Sequence, residues 1–197
     1  MENSVGGAEA ERLMEAGLAL MVAEDGRRPR VTDIVAAAGL SNDAFYRTFG
    51  SKDALVEAIV ERGARTVVGY VRHRMAASAA GGPKERLRAG LEAVARQAAD
   101  GESARRTRAV LANAGGRTAR AGHVVVALVD ALAALFAQPA AELGAADPIR
   151  SARTAAGAVV AALQYWLFAG EVPGRIEVEH LVGFLVAGVG APDARRR

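Results

Sequence analysis

The hydrophobic residues of this chain recur at intervals of three and four along nearly its whole length, which is the period of an amphipathic α-helix. In residues 8–23 the pattern runs through Leu13, Leu20 and Met21, and in residues 31–38 it runs through Ile34 and Val35. No segment shows the sustained alternation of a strand. The pattern predicts an all-α fold with helices over 8–23, 31–38, 42–49, 52–75, 84–100, 102–113, 118–137, 149–169 and 178–189.

The second and third predicted helices are short, and a glycine separates them. Gly39 suits the left-handed conformation that commonly follows a helix end, and Ser41 can cap the next helix by accepting a bond from a first-turn amide. Phe45 and Phe49 would wedge that helix against its neighbours, and Ser51 can cap the long helix that follows. This layout is typical of a helix-turn-helix, which places its second helix in the major groove of DNA. The stretch therefore predicts a transcription factor.

The segment over 76–83, AASAAGGP, is rich in small residues, glycine and proline, and it predicts a linker. The long helix before it would connect the two parts of the chain. The predicted organisation is a DNA-binding domain over 1–52, a connecting helix over 53–75, a helical bundle over 76–190 and a flexible basic tail over 191–197.

The composition limits the classes of protein to which this chain can belong. Hydrophobic residues make up 51% of the chain, which is enough for a core. No run of about 18 uncharged apolar residues predicts a membrane-spanning helix, and the polar first residues do not resemble a signal peptide. The absence of cysteine excludes disulfides and thiol chemistry and fits a cytoplasmic protein. We therefore expect a cytoplasmic protein with no membrane partner.

The distribution of charge argues against a broadly basic DNA-binding surface. Residues 1–75 hold ten Lys and Arg against eleven Asp and Glu, although the whole chain has a net charge of +3. A local cluster, Arg27, Arg28 and Arg30, immediately precedes the helix that begins at Val31. The cluster is either a solvated surface loop or a set of phosphate contacts, and its position beside a helix-turn-helix favours phosphate contacts.

The N-terminal part of the chain, up to about residue 60, resembles the TetR family of bacterial one-component regulators. The residues that carry the resemblance are Ile34, Ala38-Gly39-Leu40-Ser41, Phe45-Tyr46, Phe49 and Ser51-Lys52-Asp53-Ala54-Leu55. The remainder matches only in size and in its all-helical layout. The resemblance implies a three-helix DNA-binding domain, a C-terminal bundle for ligand binding and dimerisation, and a double-stranded DNA operator as partner.

The resemblance also implies which residues contact DNA. The first turn of the recognition helix would face base edges, where Asn can bond adenine through two hydrogen bonds, Asp can accept from cytosine and Arg can bind guanine or phosphate. Tyr46 and Lys52 would contact the phosphate backbone. The implied DNA-binding residues are Arg30, Thr32, Ser41, Asn42, Asp43, Ala44, Tyr46, Arg47, Thr48 and Lys52.

The chain departs from the family pattern at two positions. Arg30 stands where the family often has Thr, and Thr32 follows two residues later. The phosphate contact at the start of the second helix is therefore assigned to Arg30, Thr32 or both. Val35 stands where a small Ala is common, which predicts slightly wider helix packing.

Other chemistry has little support in the sequence. The histidines His73, His123 and His180 have no second ligand three or four residues away, and no dinucleotide-binding, P-loop or nucleophile-elbow motif is present. We expect no metal, no cofactor and no enzymatic activity. Asp130, inside an apolar helix, is expected to face solvent, with a pocket or a packing interface as alternatives.

The densest aromatic cluster of the C-terminal half is QYWLF, residues 164–168. Structural packing is the favoured interpretation, and contact with a ligand through Gln164 or Trp166 is the alternative. The bundle is rich in Ala, Val and Leu, so a pocket in it would suit a small apolar effector.

A homodimer is expected because a single helix-turn-helix covers little DNA, whereas two copies can occupy half-sites about one helical turn apart. By analogy with the family, residues 149–169 and 178–189 would form a four-helix dimer seam. Small residues would permit close approach there: Ala152, Ala156, Ala162, Gly183 and Gly188.

The resemblance further implies a repressor that a small-molecule ligand releases from its operator. Ligand binding would shift the helix around 105–108 and the helix over 52–75, and so change the spacing of the recognition helices. The alternatives are a ligand-independent DNA-binding protein with a filled C-terminal core and, less favoured, a small helical enzyme or ligand carrier.

Overall fold

The computed structural model describes residues 2–24, 27–114 and 119–190, with side chains described for 6–24, 27–113 and 123–190. The predicted tail over 191–197 lies outside these residues. The described chain consists of helices joined by turns, which confirms the all-α prediction. The helices are α1 Glu2–Ala23, α2 Val31–Ala38, α3 Asn42–Phe49, α4 Lys52–Ala77, α5 Gly82–Ala95, α6 Gly101–Ala114, α7 Ala119–Glu142, α8 Pro148–Ala169 and α9 Arg175–Val189, with a short 3-10 helix at Ala79–Gly81.

The predicted linker over 76–83 is largely helical. α4 continues to Ala77, the 3-10 helix occupies Ala79–Gly81, and α5 begins at Gly82 with Pro83 in its first turn. Proline suits the first turn of a helix because its missing N–H would have no partner there in any case. The small residues of this segment therefore make a tight turn between two helices rather than an extended linker.

Several helices extend beyond their predicted limits, among them α1, which begins at Glu2 rather than at residue 8, and α7 and α9. α7 was expected to end at Ala137, but it continues through Pro139 to Glu142. A proline inside a helix removes one backbone hydrogen bond. Burial of Phe136, Pro139 and Ala140 in the same stretch offsets that loss. α9 begins at Arg175, three residues before the predicted start.

The described residues fall into two compact units. The first, unit 1, combines the described residues of Met1–Gly63 with those of Arg105–Val124. The second, unit 2, combines those of Ala64–Ala104 and Val125–Arg197. Each unit draws on two separate segments of the chain.

The core of unit 1 holds α1, α2 and α3 together. Its fully buried side chains include Leu13, Met21, Ile34, Phe45 and Ile59. Ala109, from the later segment, belongs to the same cluster, and Val110 and Val124 pack against it. The helices approach closely where α1 has a glycine, because a Cβ added at Gly17 would lie 3.0 Å from Cδ1 of Ile59.

The core of unit 2 is built from α5, α7, α8 and α9. Its most deeply buried side chains come from all four helices: Leu87, Leu91, Leu132, Phe136, Val159, Leu163, Leu167 and Val182. Asp147 caps α8 by accepting from the backbone amide of Arg150 at 3.0 Å, and Gly170 ends that helix with φ 73°. Arg86 donates to Glu142, and this hydrogen bond lowers the pKa of the Glu142 carboxyl.

The predicted dimer seam needs one correction. Ala152 and Ala156 were expected to permit close approach between subunits, but both are fully buried in the core of unit 2. Ala162 and Gly183 are half-buried, and Gly188 is exposed. Small side chains at 152 and 156 therefore serve packing within the subunit.

Among the residues that the structure describes, one helix has the length and composition of a membrane span. This is the stretch His123–Glu142 of α7, and 33% of its most apolar 18 residues are buried. Leu128, Leu132 and Phe136 on this stretch are buried within unit 2, which is the behaviour of a core helix. Asp130, on the opposite side, is exposed as predicted and accepts from Nε of Arg153 at 3.2 Å.

Candidate nucleic-acid interface

The turn between α2 and α3 is closed by a left-handed glycine, as the sequence predicts. Gly39 has φ 62° and ψ 41°. Its N–H donates to the carbonyl of Ala36 at 3.2 Å, and the N–H of Leu40 donates to the carbonyl of Val35 at 2.9 Å. These two bonds satisfy carbonyls that the helix end would otherwise leave without partners. The turn therefore has one defined geometry.

Arg12 of α1 holds this turn from outside. Its Nη2 donates to the carbonyl of Ala38 and, at 3.1 Å, to the carbonyl of Gly39. A guanidinium at a helix C-terminus also interacts favourably with the negative end of the helix dipole. Arg12 was not among the predicted site residues, because no local pattern pairs a residue with a partner 26 positions away.

The recognition helix α3 is capped at its start and stopped at its end. The Ser41 hydroxyl accepts from the amide of Ala44 at 3.1 Å, which confirms the predicted cap. At the other end Gly50 has φ 69°, and its N–H donates to the carbonyl of Tyr46 at 3.0 Å. Both signals are local, so the sequence alone located this eight-residue helix.

One side of α3 anchors it in the core. Phe45 is fully buried, and its ring meets the Phe49 ring at 6.2 Å between centroids. The Tyr46 ring packs edge-on against Phe45, with 5.3 Å between centroids and planes at 83°. Ala44 was predicted to contact DNA, but it is only 5% exposed and packs on this buried side. Its methyl group has no access to a base edge, so we remove Ala44 from the candidate contacts.

The other side of α3, which we call the recognition face, carries Asn42, Asp43, Tyr46 and Arg47. All four are exposed, including 54% of Tyr46. Residues three and four apart share one side of a helix, so these side chains form one continuous surface. An amide, a carboxylate, a phenol and a guanidinium together can read base edges and bind phosphate.

Two members of the predicted set are engaged within the protein. Nη2 of Arg47 lies 2.9 Å from Oε2 of Glu9 in α1. The Thr48 hydroxyl donates to the carbonyl of Ala44 at 2.7 Å, and the side chain is half-buried. The Thr48 hydroxyl therefore donates its proton within α3. Toward any other group, the hydroxyl oxygen can only accept a hydrogen bond.

The start of α4 lies directly after the recognition helix. The Ser51 hydroxyl accepts from the amide of Ala54 at 3.1 Å, as predicted for its cap. Lys52 is half-buried at the first position of α4, and Asp53 beside it forms an ion pair with Arg28. The positive end of the α4 dipole and the Lys52 ammonium are thus next to each other, which is an arrangement that attracts phosphate.

Arg30 and Thr32 are the two candidates for the phosphate contact at the start of α2. Arg30 occupies the N-cap position with an extended backbone, φ −78° and ψ 150°, and makes no side-chain cap. The Thr32 hydroxyl donates weakly to Asp33 at 3.3 Å. Both Arg30 and Thr32 are exposed, so the geometry keeps both as candidates.

The two predicted ligand residues lie on different sides of α8. Trp166 is 5% exposed and packs in the core of unit 2, whereas Gln164 is half-buried. Residues two apart on a helix do not face each other. Trp166 therefore faces the core of unit 2, and Gln164 points in a different direction. Among the described residues, no group of three or more His, Cys, Asp or Glu could hold a metal ion.

Comparison with known proteins connects this geometry to a family. Residues 13–59 match the model of the bacterial regulatory proteins, tetR family. Over 62 residues the chain is 37% identical to the nucleoid occlusion factor SlmA of Actinobacillus pleuropneumoniae. That match covers 31% of this chain and 31% of the relative, so it spans about a third of the length of the curated relatives.

Solved structures match over nearly the whole chain. A transcriptional regulator from Pseudomonas aeruginosa PAO1 has a TM-score of 0.74 at 23% identity, covering 95% of this chain and 92% of that one. A TetR-family transcriptional regulator from Mesorhizobium loti MAFF303099 has a TM-score of 0.67 at 18% identity, covering 93% and 94%. The chain thus has the fold of these regulators.

Proposed function

We propose that this chain, whose N-terminal segment belongs to the tetR family of bacterial regulatory proteins, is a transcriptional regulator that binds operator DNA as a homodimer in the cytoplasm. The observation that carries the proposal is the division of α3 into two sides. Phe45 fixes the helix in the core, and the exposed side carries Asn42, Asp43 and Tyr46. We assign the protein no catalytic role and no cofactor.

The proposed contacts follow from the chemistry of each exposed group. Asn42 can bond adenine through its amide, and Asp43 can accept from the cytosine amino group. Tyr46 donates its hydroxyl to a phosphate, and Lys52 binds a phosphate at the start of α4. Arg30 and Thr32 contact phosphate at the start of α2. Ser41 and Thr48 can add weaker contacts through their remaining hydrogen-bonding capacity.

The proposed dimer is formed through α8 and α9. These helices carry large apolar side chains that unit 2 leaves exposed, namely Tyr165, Phe168, Ile176 and Phe184, the last at 70% exposure. Large apolar side chains that gather in an exposed patch mark an interaction site, and we propose that these four form one. A second copy of the same helices would bury it, and the two recognition helices would then meet two half-sites.

The proposed output is repression that a small apolar effector relieves. α6 supports this proposal because Val110 packs against Gly63 of α4, where an added Cβ would lie 3.2 Å from Cγ1 of Val110. The first residues of α6, Gly101–Ala104, belong to unit 2. An effector that binds two arrangements of α6 unequally would shift the population between them. Trp166, on the buried side of α8, is the proposed effector contact.

The test of DNA binding is selection of duplexes from a random-sequence pool by the full-length protein. We expect the recovered duplexes to share an inverted repeat, because a two-fold symmetric dimer presents the same recognition face to both half-sites. Recovered sequences indistinguishable from the starting pool would contradict the proposal. An Asn42→Ala protein run in parallel should recover a site that is relaxed at one position of each half-site.

A further inference from the structure

An ion pair lies at the edge of the recognition face. Nη2 of Arg47 is 2.9 Å from Oε2 of Glu9, and no other residue supplies an ion pair to Arg47 within the described chain. The Glu9 side chain is only 20% exposed, whereas 65% of the Arg47 side chain is exposed. The Glu9 carboxylate is therefore mostly covered where it lies on α1. The Arg47 guanidinium extends from α3 to meet it.

This pair changes what Arg47 offers to DNA. A guanidinium with a carboxylate at hydrogen-bond distance carries little net charge toward a third group, and a phosphate that approached Arg47 would also approach the Glu9 charge. Binding that phosphate would require breaking the pair or accepting the repulsion. In both cases the release of counterions from DNA contributes less to the free energy of binding.

A second pair beside the site has the same form. Arg28, from the basic cluster before α2, is paired with Asp53 in the first turn of α4, directly after Lys52. Two of the six cations in and around the helix-turn-helix are thus paired with carboxylates. Arg12 donates to the carbonyls that close the turn, and no described carboxylate forms an ion pair with Arg27, Arg30 or Lys52. The two pairs therefore reduce the electrostatic attraction to a phosphate backbone, which is independent of sequence.

We propose that Glu9 is a specificity-determining residue that withholds Arg47 from the phosphate backbone. By doing so it lowers the affinity for DNA of any sequence and leaves discrimination to Asn42 and Asp43. Specificity is a difference between two affinities, so weakening the nonspecific one raises it. The inference rests on the proposed function, because it concerns the same interface.

The test uses full-length protein and a duplex of scrambled sequence, so that no operator need be known. Glu9→Gln keeps the shape of the side chain and removes its charge. With Arg47 released to a phosphate, the variant should bind the scrambled duplex about three- to tenfold more tightly at low salt. The slope of log affinity against log salt should become steeper by about 0.9 between about 50 and 200 mM salt.

Glu11→Gln is the matched control. Glu11 lies two residues further along α1 and pairs with Arg62 of α4, at 2.6 Å between Oε2 and Nη1. The Glu11→Gln substitution changes the net charge of α1 by the same amount as Glu9→Gln, but it releases no cation on the recognition face. Its salt slope should therefore equal that of the parent. The double variant Glu9→Gln/Arg47→Gln should also return to the parent slope.

A second variant tests the inference without touching Glu9. If Glu9 withholds Arg47 in the parent protein, Arg47→Gln alone should leave the parent slope unchanged. A slope that becomes flatter by about 0.9 would mean that Arg47 already binds a phosphate, and would overturn the inference. A Glu9→Gln protein that matches Glu11→Gln, or that binds more weakly than the parent, would also overturn it.

These results distinguish failure of the proposed function from failure of this inference. A parent protein that shows no salt-dependent binding to any duplex would overturn both the proposed function and this inference. A parent protein that binds DNA, with a Glu9→Gln slope equal to its own, would overturn the inference alone.

Discussion

Asn42 and Tyr46 lie one turn apart on the recognition face, and their side chains offer different chemistry to DNA. The Asn42 amide has a donor and an acceptor in one plane, which matches the edge of a single base. The Tyr46 hydroxyl is a single neutral donor on an aromatic ring that is fixed edge-on against Phe45. A rigid single donor suits a phosphate oxygen, which is the same at every base pair.

Removing the Tyr46 hydroxyl should therefore weaken binding to all sequences alike. Tyr46→Phe retains the ring and its packing, and it should lower the affinity for the selected operator and for its single-base variants by the same factor, about tenfold. Because the hydroxyl is uncharged, the slope of log affinity against log salt should not change. Fluorescence anisotropy with a panel of duplexes measures both quantities.

Removing the Asn42 amide should instead change which sequences the protein prefers. Asn42→Ala should lower the affinity for the operator by about 1–3 kcal/mol and remove discrimination at one base pair, with the others unaffected. The same panel of duplexes tests this. If Tyr46→Phe relaxed one base position, or if Asn42→Ala weakened all duplexes equally, the two roles would be assigned wrongly.

Glycines inside the helices differ in what surrounds them. At Gly90 of α5 an added Cβ would lie 2.7 Å from Cε1 of Phe136 and 2.9 Å from Sδ of Met75. At Gly69 of α4 an added Cβ would have no neighbour within 4 Å. Both residues are helical and belong to unit 2, so they form a matched pair for separating packing from helix propensity.

The two alanine substitutions should change stability in opposite directions. Gly90→Ala should lower the free energy of unfolding by about 1–3 kcal/mol, because Phe136 must move in a filled core. Gly69→Ala should raise it by about 0.5–1 kcal/mol, because alanine loses less backbone entropy than glycine in a helix. Urea denaturation at one protein concentration measures both. A stabilised Gly90→Ala protein would show that α5 and α7 can separate without cost.

Helix boundaries were predictable where a local signal sets them. Gly39, Ser41, Gly50 and Ser51 place the ends of α2 and α3 and the start of α4, and each acts through a bond to a residue within five positions. The end of α7 was not predictable, because Pro139 is a local signal to stop. Burial of the residues around it decides the outcome, and burial depends on residues distant in sequence.

At the scale of the whole molecule, the proposed dimer depends on apolar surface that one subunit leaves uncovered. Phe184 of α9 is 70% exposed, and Val126 of α7 is 59% exposed. Both are large apolar residues at the surface of unit 2, but only Phe184 lies in the proposed seam.

A charged residue introduced at position 184 should therefore separate the subunits, whereas a charged residue introduced at position 126 should not. Phe184→Asp should be monomeric by analytical ultracentrifugation at micromolar concentration and should lose about a hundredfold or more in operator affinity, because two linked half-site contacts become one. Val126→Asp should remain dimeric and bind as the parent does. A dimeric Phe184→Asp protein would place the seam elsewhere.

The sequence by itself determined the all-α class and the position of the helix-turn-helix. These features depend on helical periodicity and on caps, which act over a few residues and can be read in order along the chain. The resemblance to the TetR family then implied Asn42 and Tyr46 as DNA contacts within α3.

Only the tertiary structure decided which distant residues support that site. It brought Arg12 to the carbonyls that close the turn, Glu9 to Arg47, and Ala109 into the buried cluster that contains Phe45. It also turned Ala44 away from the surface and placed Ala152 in the core of its own subunit. The physical reason is common to all five. Each depends on contacts between separate helices, and helical periodicity places a residue on a side of its own helix without specifying which other helix covers that side.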